Sequence, residues 1–308
     1  MKLLKVLPVI GIALFVYIIW KAGIANIINT LGQGNLLYLG ISAIFPVIAV
    51  VLQSIKWNLI LKSQKINLDY PYTLRIQYIA EFLGLVTPAR IGSFSKIFYL
   101  KKKVKKSFGE ASSSVVMERM IDLVVVFVLA ALGSLFLVKE FGGIFLVILI
   151  SFALLIVALI IFTNKKICTS AFSLINKYMM PVKFKKYAKE SFDAFYNSLV
   201  HPKKLFLPFI ISCLAWIITY TQAYLTAAAF GITNLPYFIS ITLFSIATVA
   251  SLIPISIGGF GVREATIIAI FSMYGISAPT LVVISLVWTM IAIVESLVGG
   301  LIAIKMEK

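Results

Sequence analysis

The stretch from Leu252 to Glu264 constrains this chain most, because it interrupts a long apolar segment with residues that a lipid-exposed helix does not tolerate. It reads Leu-Ile-Pro-Ile-Ser-Ile-Gly-Gly-Phe-Gly-Val-Arg-Glu, so it holds a proline, three glycines and an Arg–Glu pair. Proline breaks helical hydrogen bonding, and hydrocarbon offers no partner to the backbone groups that are released. We therefore expect this break to be buried in the protein or to line a polar cavity.

A second break of the same kind lies earlier in the chain. The segments Pro88-Ala-Arg-Ile-Gly-Ser-Phe94 and Pro254-Ile-Ser-Ile-Gly-Gly-Phe260 share Pro, Ile, Gly and Phe at identical spacing. Interrupted apolar segments at corresponding places in two halves are typical of transporters built from repeats. Coincidence is the alternative, because Ile and Phe are abundant throughout this sequence.

The composition indicates a membrane protein. Hydrophobic residues make up 61% of the 308 residues, and the mean hydropathy is +1.05, as in polytopic membrane proteins. Two broken apolar stretches, residues 72–100 and 237–274, are predicted as re-entrant hairpins. The six predicted full spans are residues 6–20, 36–55, 115–138, 144–162, 205–230 and 280–304. The sequence therefore predicts an all-α polytopic membrane protein, with one transmembrane domain over residues 1–308.

Basic residues give the predicted orientation. Most of the 28 Lys and Arg residues lie at the termini or in three segments: 56–65 after the second span, 101–110, and 164–204. The positive-inside rule makes these segments and both termini cytoplasmic, which accounts for the net charge of +17 without nucleic-acid binding. Residues 36–138 and 205–304 then each contain span, hairpin and span, with opposite orientations. This arrangement is an inverted-topology repeat.

The cytoplasmic basic loop over residues 164–204 is predicted to contain an interfacial helix. Aromatic side chains recur at helical spacing over residues 184–199, with lysines between them. Such an amphipathic pattern is typical of a helix that lies in the headgroup plane.

Composition also excludes several kinds of active site. The chain has one histidine, His201, and two cysteines far apart, Cys168 and Cys213. A histidine-based metal site, a Cys-type metal site and a disulfide framework are therefore not available. We predict no metal, no cofactor and no catalytic residue.

The predicted binding site combines both breaks with the span that starts near residue 115. A helix that begins within the membrane directs free N–H groups and a positive dipole end at the break, which favours an anion such as phosphate or carboxylate. Glycines would let a headgroup approach this backbone, and basic side chains would add full charges. The predicted substrate-binding residues are Arg90, Gly92, Lys96, Glu118, Arg119, Asp122, Gly258, Gly259, Gly261, Arg263 and Glu264.

Each group also has a structural interpretation. The glycines could serve only close helix packing, and Arg263 could simply pair with the acid that follows it. Glu118 and Asp122 share one helix face, because they are four residues apart. They could hold a cation, relay protons or balance the arginines of the breaks, or they could form a structural salt bridge near the cytoplasmic interface.

The expected positions of other carboxylates follow from the free-energy cost of burying a charge that has no partner. Glu295 lies in the middle of the last span, so we expect it to face the helix bundle. Glu81 is a weaker candidate of the same kind. For Glu264 we expect a partner across the site, either Arg90 or Arg119, because a buried carboxylate needs a partner to stay ionised.

These residues resemble the flippase-like transmembrane region of lysylphosphatidylglycerol synthases, which also occurs as stand-alone prokaryotic membrane proteins. Three blocks carry the resemblance: Pro88-Ala-Arg-Ile-Gly92, Glu118-Arg119 with Asp122, and Pro254 through Glu264. The resemblance covers nearly the whole chain.

The chain departs from the family pattern at the first break. Ser93 stands where the family usually has Glu, and Lys96 where it usually has Arg. Residues 83–86 lack the Asn that the family usually has shortly before the first proline.

The resemblance implies that the chain moves a polar-headed lipid between leaflets of a prokaryotic cell membrane. The lipid would be an anionic or aminoacylated phospholipid or a lipid-linked sugar. The implied partners are membrane lipids with an anionic or zwitterionic headgroup, and a separate lipid-modifying enzyme or glycosyltransferase. The sequence contains no aminoacyl-transferase region, so we expect no enzymatic activity. An ion-coupled carrier of a small anionic solute and a membrane scaffold for a lipid-modifying enzyme stay open as alternatives.

Overall fold

The computed structural model describes residues 14–87, 90–104, 106–178, 182–252 and 259–307. These residues form helices and connecting turns, and no strand occurs among them, which confirms the all-α class. The helices are α1 (Leu14–Ala22), α2 (Ile24–Gly32), α3 (Leu36–Ser42), α4 (Phe45–Ser63), α5 (Tyr70–Leu85), α6 (Lys96–Val104), α7 (Phe108–Leu135), α8 (Val138–Thr163), α9 (Lys165–Tyr178), α10 (Val182–Asn197), α11 (Phe206–Ala229), α12 (Tyr237–Ser251), α13 (Val262–Phe271) and α14 (Ala278–Glu307).

The structure confirms a multi-pass membrane protein. Among the described residues, four helical segments are long and apolar enough to cross a membrane, or five if α1 and α2, which meet at a 74° bend, count as one. The four are Leu36–Ser63, Gly142–Thr163, Pro202–Ala229 and Ala278–Met306. Helix α7 has 28 residues and is therefore about 42 Å long, but it carries three charged residues within its apolar part.

Three predicted helix boundaries were wrong by six or more residues, and one of them is the start of α8, which begins at Val138 and not at residue 144. The predicted span 36–55 continues to Ser63, so Lys56 belongs to α4 and not to a cytoplasmic loop. The predicted span 115–138 begins at Phe108, because Ser107 and Glu110 form a capping box that starts α7 seven residues earlier than hydropathy suggests. Of the predicted first span, residues 6–13 lie outside the described part of the chain.

The first break returns the chain sharply after α5. Arg90 has a left-handed backbone (φ 54°), and a short 3₁₀ helix, Ile91–Ser95, leads into α6. The N–H of Gly92 donates to Thr87 Oγ1 at 2.7 Å. A Cβ on Gly92 would lie 2.1 Å from the Leu83 carbonyl oxygen. This glycine therefore permits close packing within the hairpin.

The second break separates α12 from α13. Gly259 and Gly261 have φ values of 86° and 84°, in the left-handed region that favours glycine. A Cβ on Gly259 would lie 2.7 Å from the Cβ of Ser251. Residues 88–89 and 253–258 lie outside the described part of the chain. They include Gly258 and the prolines of the two breaks, Pro88 and Pro254.

Among the described residues, four apolar clusters form the core, and two of them are larger than the others. The larger one joins α11 to α14 and the end of α7, and in it the ring of Phe244 contacts Phe271 and Trp288 with ring centroids 4.7 and 5.5 Å apart. The smaller one joins α4, α5, α6 and α7 around Trp57. Helices α5 and α14 approach each other to backbone contact, because a Cβ on Gly299 would lie 2.0 Å from the Tyr78 carbonyl oxygen.

The basic segment 164–204 contains two helices, α9 and α10. Helix α10 packs on the start of α7, where a Cβ on Gly109 would lie 1.9 Å from the Ser191 carbonyl oxygen. The rings of Phe172 and Phe192 stack at 4.3 Å and join α9 to α10. The placement of this segment in the headgroup plane and on the cytoplasmic side stays a prediction.

Candidate functional site

A cavity of about 380 Å³ lies between the two breaks. Apolar side chains of several helices share its walls with charged and hydroxyl groups. The polar lining residues are Gln53, Glu81, Arg90, Ser93, Arg119, Asp122, Thr219, Gln222, Thr248, Ser251, Arg263 and Glu295, and Trp216 and Trp288 add indole rings. Ser93 and Phe94 come from the first break, and Leu252 and Gly259 from the second. Both breaks therefore border one cavity.

The structure divides the predicted site residues into two groups. Those that line the cavity are Arg90, Arg119, Asp122, Gly259 and Arg263. Those that do not line it are Gly92, Lys96, Glu118, Gly261 and Glu264, and Gly258 lies outside the described residues. Within the second group Lys96 pairs with Glu118, and Glu264 pairs with Arg263 of the first group.

Glu118 is the acceptor of a buried ion pair behind the cavity wall. Its carboxylate accepts two hydrogen bonds from Lys96 Nζ, at 2.7 and 2.9 Å. Lys96 also donates to Gln77, and its ammonium lies 4.8 Å from the centre of the Trp57 ring. Lys56 Nζ lies 3.7 Å from the same carboxylate. This arrangement matches the structural interpretation of Glu118.

Asp122 joins three helices at the cavity wall. Its Oδ1 accepts hydrogen bonds from Lys56 on α4 and, at 2.6 Å, from the Ser212 hydroxyl on α11. The Trp216 indole N–H lies 3.3 Å from the same oxygen. Arg119 Nη1 lies 3.7 Å from Oδ2, on the same helix. Asp122 therefore fixes α4 and α11 against α7.

Lys56 is the residue that sequence reasoning missed. Both Lys56 and Lys96 have 0% exposed side chains, although Lys56 was expected in a cytoplasmic loop. The sequence signal for its burial was its position directly after the apolar stretch 36–55. If that helix continues for one more turn, the Lys56 side chain stays within the helix bundle. An isolated buried ammonium is costly, so its burial required a carboxylate partner elsewhere.

Glu264 caps the N-terminus of α13, the helix that follows the second break. Its Oε2 accepts the Gly261 N–H at 2.6 Å, and its Oε1 accepts the Ser285 hydroxyl at 2.7 Å. Arg263 Nη2 donates to Oε1 at 2.9 Å. The expectation of Arg90 or Arg119 as its partner was wrong, because a glutamate three residues after the N-cap bonds that residue's N–H locally. The protein's own carboxylate therefore occupies part of the anion-binding end of α13.

Arg263 lies between this cap and the cavity. Its guanidinium donates to Thr289 and lies 5.1 Å from the centre of the Trp288 ring and 5.9 Å from that of Phe260. Its side chain is 14% exposed. Arg263 therefore lines the cavity, although its charge is already paired with Glu264.

The remaining two carboxylates of the cavity lie on α5 and α14. Glu81 accepts a hydrogen bond from Arg90 Nη2 at 2.7 Å across the first break. Glu295 lines the cavity, and its buried Oε1 has no hydrogen-bond partner among the described residues. Glu295 thus faces the bundle, as its position in the span predicts.

The sequence matches the family model of the lysylphosphatidylglycerol synthase TM region over residues 6–299. The chain belongs to this family. The match confirms the resemblance seen in the blocks around both breaks, and it extends over nearly the whole chain. The family's name describes a membrane region. Among the described residues of this chain, groups of three or more potential metal ligands are absent.

Relatives from archaea align over nearly the whole chain. The chain is similar to UPF0104 membrane protein PH1989 of Pyrococcus horikoshii, with 23% identity over 98% of this chain and 97% of the relative. It is also similar to a UPF0104 membrane protein of Methanothermobacter thermautotrophicus, with 21% identity over 97% and 92%. UPF0104 membrane protein MJ1595 of Methanocaldococcus jannaschii is 22% identical over 98% and 94%.

Proposed function

We propose that this protein moves a polar-headed lipid between the leaflets of a prokaryotic cell membrane without catalysing a reaction. One observation supports this function most: a cavity within a helical membrane protein, bordered by both chain breaks, has charged and apolar walls together. A lipid headgroup needs the charged part, and the first methylene groups of its chains need the apolar part. The lipid would carry an anionic, aminoacylated or sugar headgroup.

The size of the cavity supports binding of the headgroup alone. Its volume of about 380 Å³ is near the lower end of ligand pockets, which span roughly 300–1,000 Å³. Pro46, Val50 and Leu85 provide apolar wall on one side, and Val126 on another. In this proposal the acyl chains remain in the bilayer while the headgroup crosses through the cavity.

The proposed architecture is that of an inverted repeat. The family match and the position of both breaks at one cavity support two related halves, residues 36–138 and 205–304, in opposite orientations. The distribution of lysines supports cytoplasmic termini. In this arrangement two half-helices start at the site from opposite sides, so either leaflet could present a headgroup to the same residues.

The carrier alternative receives less support from the geometry. It would use Glu118, Asp122 and Glu264 to couple ions. Each of these carboxylates already bonds to a protein cation, Lys96, Lys56 or Arg263 respectively. Binding a soluble cation would first have to break a buried pair, which is costly.

Substitution of Arg263 tests the proposed function. In vesicles with fluorescent phospholipids and glycolipids, a membrane-impermeant quencher reports how much of each lipid reaches the outer leaflet. Arg263→Ala should abolish the lipid movement that the wild type produces, because the cavity loses a cation that faces the headgroup, while thermal unfolding in detergent stays cooperative.

Arg75→Ala is the matched control, because Arg75 is exposed on α5 and does not line the cavity. It should leave movement unchanged. Full movement by Arg263→Ala would show that the second break is architecture and not a binding site. No lipid movement by the wild type would reject the proposed function itself.

A further inference from the structure

Glu295 differs from the other carboxylates in and behind the cavity wall, because no described basic side chain pairs with it. The other carboxylates each lie within ion-pair distance of a described cation: Glu81, Glu118, Asp122 and Glu264. The buried Oε1 of Glu295 also accepts no hydrogen bond from the described residues. Glu295 nevertheless stands in α14, which is long and apolar enough to cross a membrane. An ionised carboxylate at this position would be a charge without compensation.

The nearest charged groups do not supply that compensation. Glu81 on α5 and Arg90 of the first break are the charged side chains that interact electrostatically with Glu295. Arg90 already donates to Glu81 at 2.7 Å. Tyr78, also on α5, adds a phenol and no positive charge. Glu295 would therefore have to share one arginine with a carboxylate that is already bonded to it.

The other helices packed on α14 offer no free cation among their described residues. Arg263 on α13 is paired with Glu264, and Lys56 on α4 is paired with Asp122. Helices α2 and α11 carry no charged residue. A buried carboxyl group without a partner avoids the cost of its charge by holding a proton, and the negative charge of a neighbouring carboxylate favours the same outcome.

Protonation of Glu295 leaves the site with one positive charge in excess. Among the described residues, five basic groups and four paired carboxylates lie in and behind the cavity wall, namely Lys56, Arg90, Lys96, Arg119 and Arg263, and Glu81, Glu118, Asp122 and Glu264. An ionised Glu295 would cancel the excess, and so would an anionic headgroup. Each of these two negative charges therefore opposes the presence of the other.

We propose that Glu295 is a proton-binding site, and that the protein takes up this proton together with an anionic headgroup. Glu295 lines the cavity and is only partly buried, so water can deliver the proton to its carboxylate oxygen. The proton returns to water when the headgroup leaves, and no other group is consumed or formed. A proton gradient across the membrane would then bias the direction of lipid movement. This inference rests on the proposed function and adds its coupling ion.

Infrared difference spectroscopy of the purified full-length protein, in a detergent without ester groups, tests the proton site directly. At neutral pH the wild type should show the carbonyl band of a protonated carboxylic acid. Glu295→Gln should lack this band, because its amide cannot hold the proton. Glu190→Gln is the matched control, since it removes an exposed carboxylate on α10, and it should leave the band unchanged.

Glu81→Gln distinguishes a proton site from a side chain that is merely buried. It frees Arg90 to pair with Glu295 and removes the neighbouring negative charge, so the ionised form of Glu295 gains a partner. The pH at which half of the acid band is lost should fall by about one unit or more. This variant also carries the test if Glu295→Gln does not fold.

Binding of phosphatidylglycerol by the same preparations tests the coupling. Over the pH range in which the wild type loses its acid band, its affinity for this anionic lipid should fall as the pH rises, by up to about tenfold per unit for one proton per lipid. The affinity of Glu295→Gln should not depend on pH in that range. Phosphatidylethanolamine, whose headgroup has no net charge, should bind the wild type with little dependence on pH.

Two results would overturn the proton site: a wild type without the acid band at neutral pH, or a band that persists unchanged in Glu295→Gln. Affinity of the wild type for phosphatidylglycerol that does not depend on pH would overturn the coupling. The vesicle assay separates this inference from the proposed function. If lipid moves and the acid band is missing, the inference fails and the proposed function stands. If the band behaves as expected and no lipid moves, the proton site stands and the proposed function fails.

Discussion

Lys96→Met should destabilise the protein strongly, because it removes one partner from a fully buried ion pair. Lys96 Nζ lies 2.7 Å from Glu118, and both side chains are at most 1% exposed. Breaking such a pair costs about 3–5 kcal/mol, since the remaining charge stays buried without its partner. Lys56, 3.7 Å from the same carboxylate, still compensates part of the charge. We therefore expect a loss of about 3 kcal/mol, the lower value of that range.

The double variant Lys96→Met, Glu118→Leu separates the charge from the packing. It removes both partners, while Lys56 keeps its hydrogen bond to Asp122. Replacement of a complete buried pair by apolar residues is often neutral or stabilising. The double variant should therefore unfold within about 1 kcal/mol of the wild type, which makes the coupling between the two substitutions about 2 kcal/mol or more.

The assay is the free energy of unfolding in mixed micelles, measured by titration with a denaturing detergent. Lys106→Met is the matched control, because Lys106 forms a solvent-exposed pair with Glu110 at 2.9 Å. Exposed pairs of this kind contribute little, so the control should change stability by less than about 0.5 kcal/mol. The reasoning is refuted if Lys96→Met unfolds within about 1 kcal/mol of the wild type, or if the double variant is as unstable as the single one.

Three further outcomes test the arrangement. In a cysteine-free background, a cysteine at Lys103 should resist a membrane-impermeant thiol reagent in intact cells and one at Ser277 should react; labelling at position 103 would overturn the orientation. Glu264→Ala should lower the free energy of unfolding by about 3–5 kcal/mol, because it leaves a buried guanidinium and a cap N–H unpaired. Unchanged stability in a detergent titration would contradict the capping role. Gly299→Ala should cost about 1–3 kcal/mol by forcing α14 off α5, whereas Gly40→Ala, with no atom within 4 Å of its Cβ position, should be neutral or slightly stabilising in the same titration.

Hydropathy and helix-breaking residues predicted the features that depend on the cost of placing polar groups in lipid. The break after α12 and the earlier one before residue 90 follow from the cost of unsatisfied backbone in hydrocarbon. The inward position of Glu295 follows from the cost of a charge in lipid. Each of these inferences uses only the type of one residue and its position within an apolar stretch, and a single sequence shows both.

Pairing between distant helices could not be predicted in the same way. Lys56 and Asp122 are 66 residues apart, and no local pattern connects them. Glu264 was assigned a distant partner, but the local rule for a residue three positions after an N-cap decided its contacts. The predicted spans end at residue 20 and resume at residue 36, so the helix α2 between them was not predicted. Ile24, Ile27, Ile28 and Leu31 recur there at helical spacing, and that signal was available.

The buried Lys56 has a consequence for how the chain enters the membrane during synthesis. Chains are made from the N-terminus, so α4 reaches the bilayer before Asp122 on α7 exists. A lysine at the centre of a membrane helix costs roughly 2.5–3.5 kcal/mol. We therefore expect the early α4 to hold Lys56 at the water interface, with its side chain extended towards the headgroups. Helix α7 supplies Glu118 and Asp122, the carboxylates next to Lys56, so we expect α4 to reach its final position only after α7 has inserted.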